Sequence, residues 1–190
     1  MILLNKKLVL IGDSITFGYG VNKKDSWVYN LSKNLPLEII NKGINGDTTP
    51  SMLNRFYEDV IALNPDYIFI MGGTNDLLCG RSIFSIKDNI SEMIKDSLGK
   101  NLIIGIPPCI IKEMAENLFM PSTHYTHCKN SLPILRKELI DLCQNYSVKY
   151  IDFYKLTFDN IEKSIFIDGI HLNSLGNNIM LNEFLKVFTL

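Results

Sequence analysis

The sequence predicts an α/β fold: a five-stranded parallel sheet with helices on both faces, in one domain spanning residues 1–190. Three observations carry that expectation. Short β-branched apolar runs alternate five times with longer segments of helical period. The runs are apolar at successive positions, as in strands covered on both sides. No linker, internal repeat or low-complexity stretch divides the chain, and 46% hydrophobic with 21% charged residues suits one domain with a substantial core.

The elements follow in order. Residues 7–12 (KLVLIG) read as the first strand, residues 25–35 as a helix and residues 37–43 (LEIINKG) as the second strand. In the helix opening at TTPSMLNRFYEDVIAL, Thr49 is the expected cap and Pro50 takes the first helical position, where no N–H is needed. Leu53, Phe56, Val60 and Leu63 share one face of it. Residues 66–73 (DYIFIMGG) form the third strand, and a stripe of Ile83, Ile86, Ile90, Met93 and Ile94 marks the helix after it. NLIIGIPP is a fourth strand stopped by two prolines, residues 130–145 a further helix, VKYIDFY a fifth strand, and a last helix follows Asn173. Residues 109–131 are irregular and too long for an ordinary connection; they are expected to form a flap over the site.

Composition narrows the function. A formal net charge of −1 gives no basic footprint for nucleic acid or for an anionic membrane surface, and sixteen lysines to three arginines leave few bidentate phosphate clamps. No stretch approaches the roughly 20 apolar residues of a membrane span. In MILLNKKLVL the apolar residues precede the lysines, the reverse of a secretory signal, so this segment is expected to begin the first strand of a cytoplasmic protein. Abundant Lys, Asn and Ile with little Arg fit an AT-rich bacterial genome. Cys79, Cys109, Cys128 and Cys143 lack C-x-x-C spacing and read as buried reduced thiols. Trp27 and Tyr29 read as exposed aromatics of a site rim, a helix face or a homo-oligomer surface.

In a doubly wound sheet, ligands bind outside the carboxyl ends of the strands. Polar residues gather at those ends here. LVLIGDSITFGYG runs from the first strand into Ser14; GINGDTT after the second offers the Gly46 N–H; GGTND after the third offers the Asn75 amide. Near the C-terminus, FIDGIHLNSLGN supplies Asp168 three residues before His171. A serine attacks only when a base takes its proton and donors receive the oxyanion, and this set contains all three parts. Taken singly, Gly-Asp-Ser is a turn, Gly46-Asp47 another, Asn75 and Asp76 helix caps and His171 a structural histidine. Their conjunction at one edge of one sheet points to catalysis.

These blocks resemble the SGNH hydrolases, or GDSL family, from Gly12 almost to the end of the chain. GDSIT is similar to the first block, with Ile15 in place of the name-giving leucine; NGDTT is similar to the second, GGTND to the third and DGIHLN to the last. The resemblance implies a three-layer α/β/α sandwich of flavodoxin-like kind, a serine esterase or acylhydrolase acting on small-molecule esters or thioesters through an acyl-enzyme, and no metal or organic cofactor. It implies Ser14 as nucleophile with His171 and Asp168 completing the triad. Ser14, Gly46 and Asn75 would form the oxyanion hole.

Two other readings compete. A carbohydrate deacetylase would use the same triad on acetylated sugars, and the flap is ambiguous between them. Met114, Leu118, Phe119 and Met120 suit an acyl pocket, whereas His124 and Tyr125 suit a sugar; Asp13, Met114, Phe119 and His124 are therefore candidate substrate contacts. A nucleotide- or flavin-binding module would need a phosphate loop, but GDSITFGYG has neither G-x-G-x-x-G nor a Walker pattern, and Asp13 would repel a phosphate. His124, His127 and Cys128 form an H-x-x-H-C that lacks a nearby further ligand, so no metal site is expected.

Overall fold

Successive side chains of a strand face opposite ways, and in the central strands of this chain both sets are apolar. The computed structural model describes residues 6–188. It contains β1 (Lys7–Gly12), β2 (Glu38–Gly43), β3 (Tyr67–Met71), β4 (Asn101–Ile106) and β5 (Lys149–Asp152), all parallel, in the order β2-β1-β3-β4-β5. This is the flavodoxin-like order, with its switch point between β1 and β3. Residues 1–5, expected to lead into the first strand, lie outside the described residues.

Ten helices complete the described fold: α1 (Ser14–Phe17), α2 (Trp27–Asn34), α3 (Thr49–Asn54), α4 (Phe56–Asp59), α5 (Thr74–Leu78), α6 (Ile83–Asp96), α7 (Lys112–Leu118), α8 (Thr123–Tyr146), α9 (Phe153–Phe158) and α10 (Ser174–Val187). Val9, Ile11, Ile68, Ile70 and Ile104 face one core shared with α3 to α6 and α8. Leu8, Leu10, Phe69, Ile103 and Ile151 face the other, shared with α2 and α10. The sandwich is thus the expected three-layer one.

Several local expectations need correcting. Trp27 is wholly buried, its ring centroid 5.5 Å from that of Phe69 and 5.7 Å from that of Phe184. Its indole N–H donates to the Ile15 carbonyl at 2.9 Å, so it fastens α2 under α1 and takes no part in a rim. The helix expected to run on from Thr49 breaks at Arg55 (φ −100°, ψ 3°); Thr49 is already helical, Thr48 stands at the N-cap position without a side-chain cap hydrogen bond, and the Thr49 hydroxyl is bonded to Asp76. Residues 109–131 are largely helical: α7 lies within them, and α8 starts at Thr123, where Ser122 accepts from the His124 N–H at 3.2 Å. The free cysteines are buried except Cys79, which is exposed. Burial pushes the Cys128 and Cys143 thiols up to about 12, so neither is a nucleophile at neutral pH.

The joint between β1 and α1 buries a carboxyl group. Gly12 must be glycine, since a Cβ there would lie 2.7 Å from the Met71 carbonyl oxygen and 2.2 Å from Thr16 Oγ1. Next to it Asp13 is the N-cap of α1, accepting from the Ile15 N–H at 2.9 Å. Burial raises its carboxyl from 3.8 to about 6, with Asp47 and Asp76 adding repulsion, against the Ile15 hydrogen bond and the attraction of His171. A carboxyl that holds its proton more tightly when folded costs stability as pH rises through that window, and the cost is complete above the folded value. Asp13→Asn keeps the cap and removes the charge. It is expected to stabilise the protein by about 2–3 kcal/mol at pH 8 and by almost nothing below pH 4. Urea unfolding of both proteins at the two pH values checks this; an equal difference at both would contradict it.

Candidate active site

Asp168 builds the site from its own local geometry. Its Oδ1 accepts from the backbone N–H groups of Ile170 at 2.9 Å and His171 at 2.7 Å, which folds DGIH into a tight loop. That loop brings the imidazole back over the carboxylate, and His171 Nδ1 lies 2.6 Å from Asp168 Oδ2. The loop is anchored on three sides. Ile167 N–H donates to the His171 carbonyl at 2.8 Å, Ile111 N–H donates to the Gly169 carbonyl at 2.7 Å, and the Asn177 amide of α10 donates to the Leu172 carbonyl at 3.0 Å. Asn177 in turn accepts from the Trp27 N–H at 3.1 Å, so the triad loop is tied through α10 to α2.

The second imidazole nitrogen, His171 Nε2, lies 2.9 Å from Ser14 Oγ across 157 residues of sequence. The tautomer follows from the partners. Burial alone would raise the Asp168 carboxyl, but the hydrogen bonds from the His171 ring and from the N–H groups of His171 and Ile170 outweigh it and hold it below its usual 3.8. An ionised carboxylate has no proton to give, so Nδ1 carries the hydrogen and Nε2 presents its lone pair to the serine hydroxyl. The Tyr19 ring, its centroid 4.5 Å from the imidazole, bounds the other side of His171.

Ser14 begins α1, 6% exposed at the end of β1. Its N–H and that of Gly46 meet no acceptor among the described residues. Gly46 has φ +76°, a conformation that favours glycine, and nothing lies within 4 Å of where a Cβ would stand. The Asn75 amide donates to the Asp47 carbonyl at 2.9 Å and keeps a second hydrogen for a ligand. Ser14, Gly46 and Asn75 follow the carboxyl ends of β1, β2 and β3, and the loop of Asp168 and His171 meets Ser14 there.

The other candidates divide. Asp13, expected at the substrate, is 2% exposed and spends its carboxylate on the α1 cap. Met114 packs into the core beside the triad loop, with its Cβ 3.1 Å from the position a Gly169 Cβ would take. Phe119 and His124 line a cavity of about 580 Å³ with Leu78, Leu118, Met120 and Ile170, the residue before His171. His127 is exposed while Cys128 is buried with its thiol directed to the Thr74 carbonyl, and among the described residues no three such side chains converge on a metal position.

Two supports went unread in the sequence. Asp76, wholly buried, accepts from the Thr49 N–H at 2.9 Å and its hydroxyl at 2.8 Å; burial raises its carboxyl despite these bonds. Arg55 grips Asp47, the residue after Gly46. Asp59 at i+4 is a local partner, but Asp47 and the carbonyls of Lys42 and Gly12 lie too far along the chain for local spacing to reveal them. The only signal was its rarity, one arginine of three among sixteen lysines.

Comparison with known proteins agrees with this architecture. Residues 10–179 match the GDSL-like lipase/acylhydrolase family. The structure of a member of the lipolytic protein G-D-S-L family from Veillonella parvula superposes with a TM-score of 0.81 over 96% of this chain and 98% of that one, at 24% identity. An arylesterase of Vibrio mimicus is 36% identical over 115 residues, 55% of this chain and 57% of its own length. An acetylxylan esterase of Geobacillus stearothermophilus is 36% identical over 88 residues, 38% of this chain and 40% of its own. The matched stretches thus span little more than half of these curated relatives at most. Since the family match runs from within β1 past His171 into α10, this chain belongs to the GDSL-like lipase/acylhydrolase family.

Proposed function

We propose that this protein is a serine acylhydrolase that cleaves small carboxylic esters or thioesters through an acyl-enzyme. The observation that carries the reading is the continuous chain Ser14 Oγ, His171 Nε2, His171 Nδ1 and Asp168 Oδ2, with contacts of 2.9 and 2.6 Å. In this reading Ser14 attacks the carbonyl carbon while Nε2 takes its proton, and Asp168 stabilises the imidazolium that results. The Ser14 N–H, Gly46 N–H and Asn75 amide receive the oxyanion. The tetrahedral species collapses, the leaving alcohol takes the proton from Nε2, and water activated by the same nitrogen releases the acid.

The wall beside the triad supports an acyl group longer than acetyl. Leu118, Phe119 and Met120 are three consecutive large apolar residues, each more than half exposed, on the cavity that also holds Ile170. Such a cluster beside a polar site is the environment an alkyl chain removes from water. Residues 109–131 act in this reading as a flap over that chain. A deacetylase of acetylated sugars is the second reading, supported by His124 and Tyr125 in the same wall and by the likeness to an acetylxylan esterase.

Hydrolysis of p-nitrophenyl acetate, butyrate and octanoate by the wild type and by Ser14→Ala tests the proposal. Turnover is expected for the wild type and none above background for the variant; retained turnover in Ser14→Ala would reject the mechanism. Asn75→Ala is expected to lower kcat by on the order of a hundredfold or more, since one oxyanion donor contributes about 2.7–4 kcal/mol to the barrier. Near-wild-type kcat would remove Asn75 from the hole. Phe119→Ser is expected to raise KM for the octanoate several-fold and leave the acetate unchanged. Equal effects on both esters, with faster hydrolysis of acetylated xylooligosaccharides, would favour the deacetylase.

A further inference from the structure

Arg55 occupies the break between α3 and α4, and its guanidinium is almost fully enclosed, 14% exposed. Its donors reach four groups. Nε and Nη2 both meet Asp47 Oδ2, at 2.9 and 2.6 Å; Nη1 meets Asp59 Oδ2 at 2.8 Å. Nη2 also meets the carbonyls of Lys42 at 2.9 Å and Gly12 at 3.3 Å, at the ends of β2 and β1. Lysine has neither the planar fork nor enough donors to satisfy this set.

What the guanidinium holds is the frame of the cleft. Asp47 follows Gly46 directly, its other carboxylate oxygen accepts from the Thr48 N–H at 3.1 Å, and its own carbonyl takes the Asn75 amide at 2.9 Å. Its N–H meets the Ile44 carbonyl at 3.2 Å, closing the turn that contains the Asn45–Gly46 peptide, so one residue holds both the turn that carries the Gly46 N–H and the acceptor that aims Asn75. Gly12, the fourth contact, precedes Ser14 by two residues. The three oxyanion donors come from three different strand ends, and Arg55 touches the support of each.

We propose that Arg55 is the positioning residue of the oxyanion hole, setting the Gly46 N–H and the Asn75 amide against Ser14 through its ion pair with Asp47. The inference rests on the acylhydrolase reading for its kinetic consequence, but its structural claim is independent of any activity.

The test compares Arg55→Lys and Arg55→Ala with Arg136→Lys. Arg136 makes an equally close fork with Asp152, with contacts of 2.6 to 3.1 Å, outside the loops of the triad and the hole. In ¹H–¹⁵N spectra of the folded proteins, the Gly46 amide and Asn75 side-chain signals are expected to shift in Arg55→Lys and stay in place in Arg136→Lys. On p-nitrophenyl butyrate, kcat is expected to fall at least tenfold in Arg55→Lys with KM within threefold of wild type. In an Asn75→Ala background, Arg55→Lys should cost much less than it does alone. If Arg55→Ala does not fold, the lysine variant decides. Unmoved Gly46 and Asn75 signals, or losses that multiply fully with Asn75→Ala, would overturn the proposal. A wild type inert toward every ester, with those signals shifted in Arg55→Lys, would sink the acylhydrolase reading while upholding the positioning role.

Discussion

The structure depends on one constraint, the register of three parallel strands at their carboxyl ends. Gly12 lies opposite Gly43 on one side and Met71 on the other, so β1, β2 and β3 stop level with one another. Three polar groups of the cleft hang from that line. Ser14 follows the first end by two residues, Gly46 follows the second by three, and Asn75 follows the third by four. A slip of one residue in either pairing would send each side chain of a strand into the opposite core, so the packing of the two cores holds the register of the site. Packing energy and catalytic geometry are in this sense the same interaction, seen from the middle and from the edge of the sheet.

The cleft itself is held by polar contacts that bridge loops. Asn75 to the Asp47 carbonyl and Asp76 to Thr49 join the loop after β3 to the loop after β2, and Arg55 ties the latter to the strand ends. The triad loop is supported from elsewhere, through Asn177, Trp27 and Ile111. The two halves of the site therefore rest on different faces of the molecule, the hole on the α3 to α6 side and the imidazole on the α2 and α10 side. Four aspartates surround the serine, and their environments separate them. Asp168 is hydrogen-bonded three times and held ionised, whereas Asp13 and Asp76 are pushed toward protonation by burial. Asp47, the fourth, is paired with Arg55 at 2.6 Å.

Much of this was legible in the sequence because its cause is local. Five apolar runs give five strands; Asp168 and His171 are close in the chain, and a three-residue spacing suffices for the carboxylate to hold both the ring and its backbone. Gly46 could be singled out because it stands directly before the Asp-Thr pair and carries no side chain to cover its N–H. What stayed hidden was long-range. Trp27 looked like a surface aromatic because its burial depends on Phe69 and Phe184, far along the chain. Asp13 looked available to a ligand because nothing in GDS reveals that its carboxylate turns back onto Ile15. Thr49 looked like a cap because its true partner, Asp76, lies on another loop. The segment 109–131 was read as one irregular connection too long to join a strand to a helix, whereas it holds α7 and the start of α8, and its exposed Leu118, Phe119 and Met120 line a cavity.

The central claim is that Ser14 is an activated nucleophile, and covalent trapping tests it most directly. The protein would be treated with a small alkyl fluorophosphonate, weighed intact by mass spectrometry and mapped by peptide digestion. One adduct per chain, located on Ser14 and lost when His171 is replaced by alanine, is the predicted result. No adduct on the folded protein, or an adduct on another serine, would contradict the account.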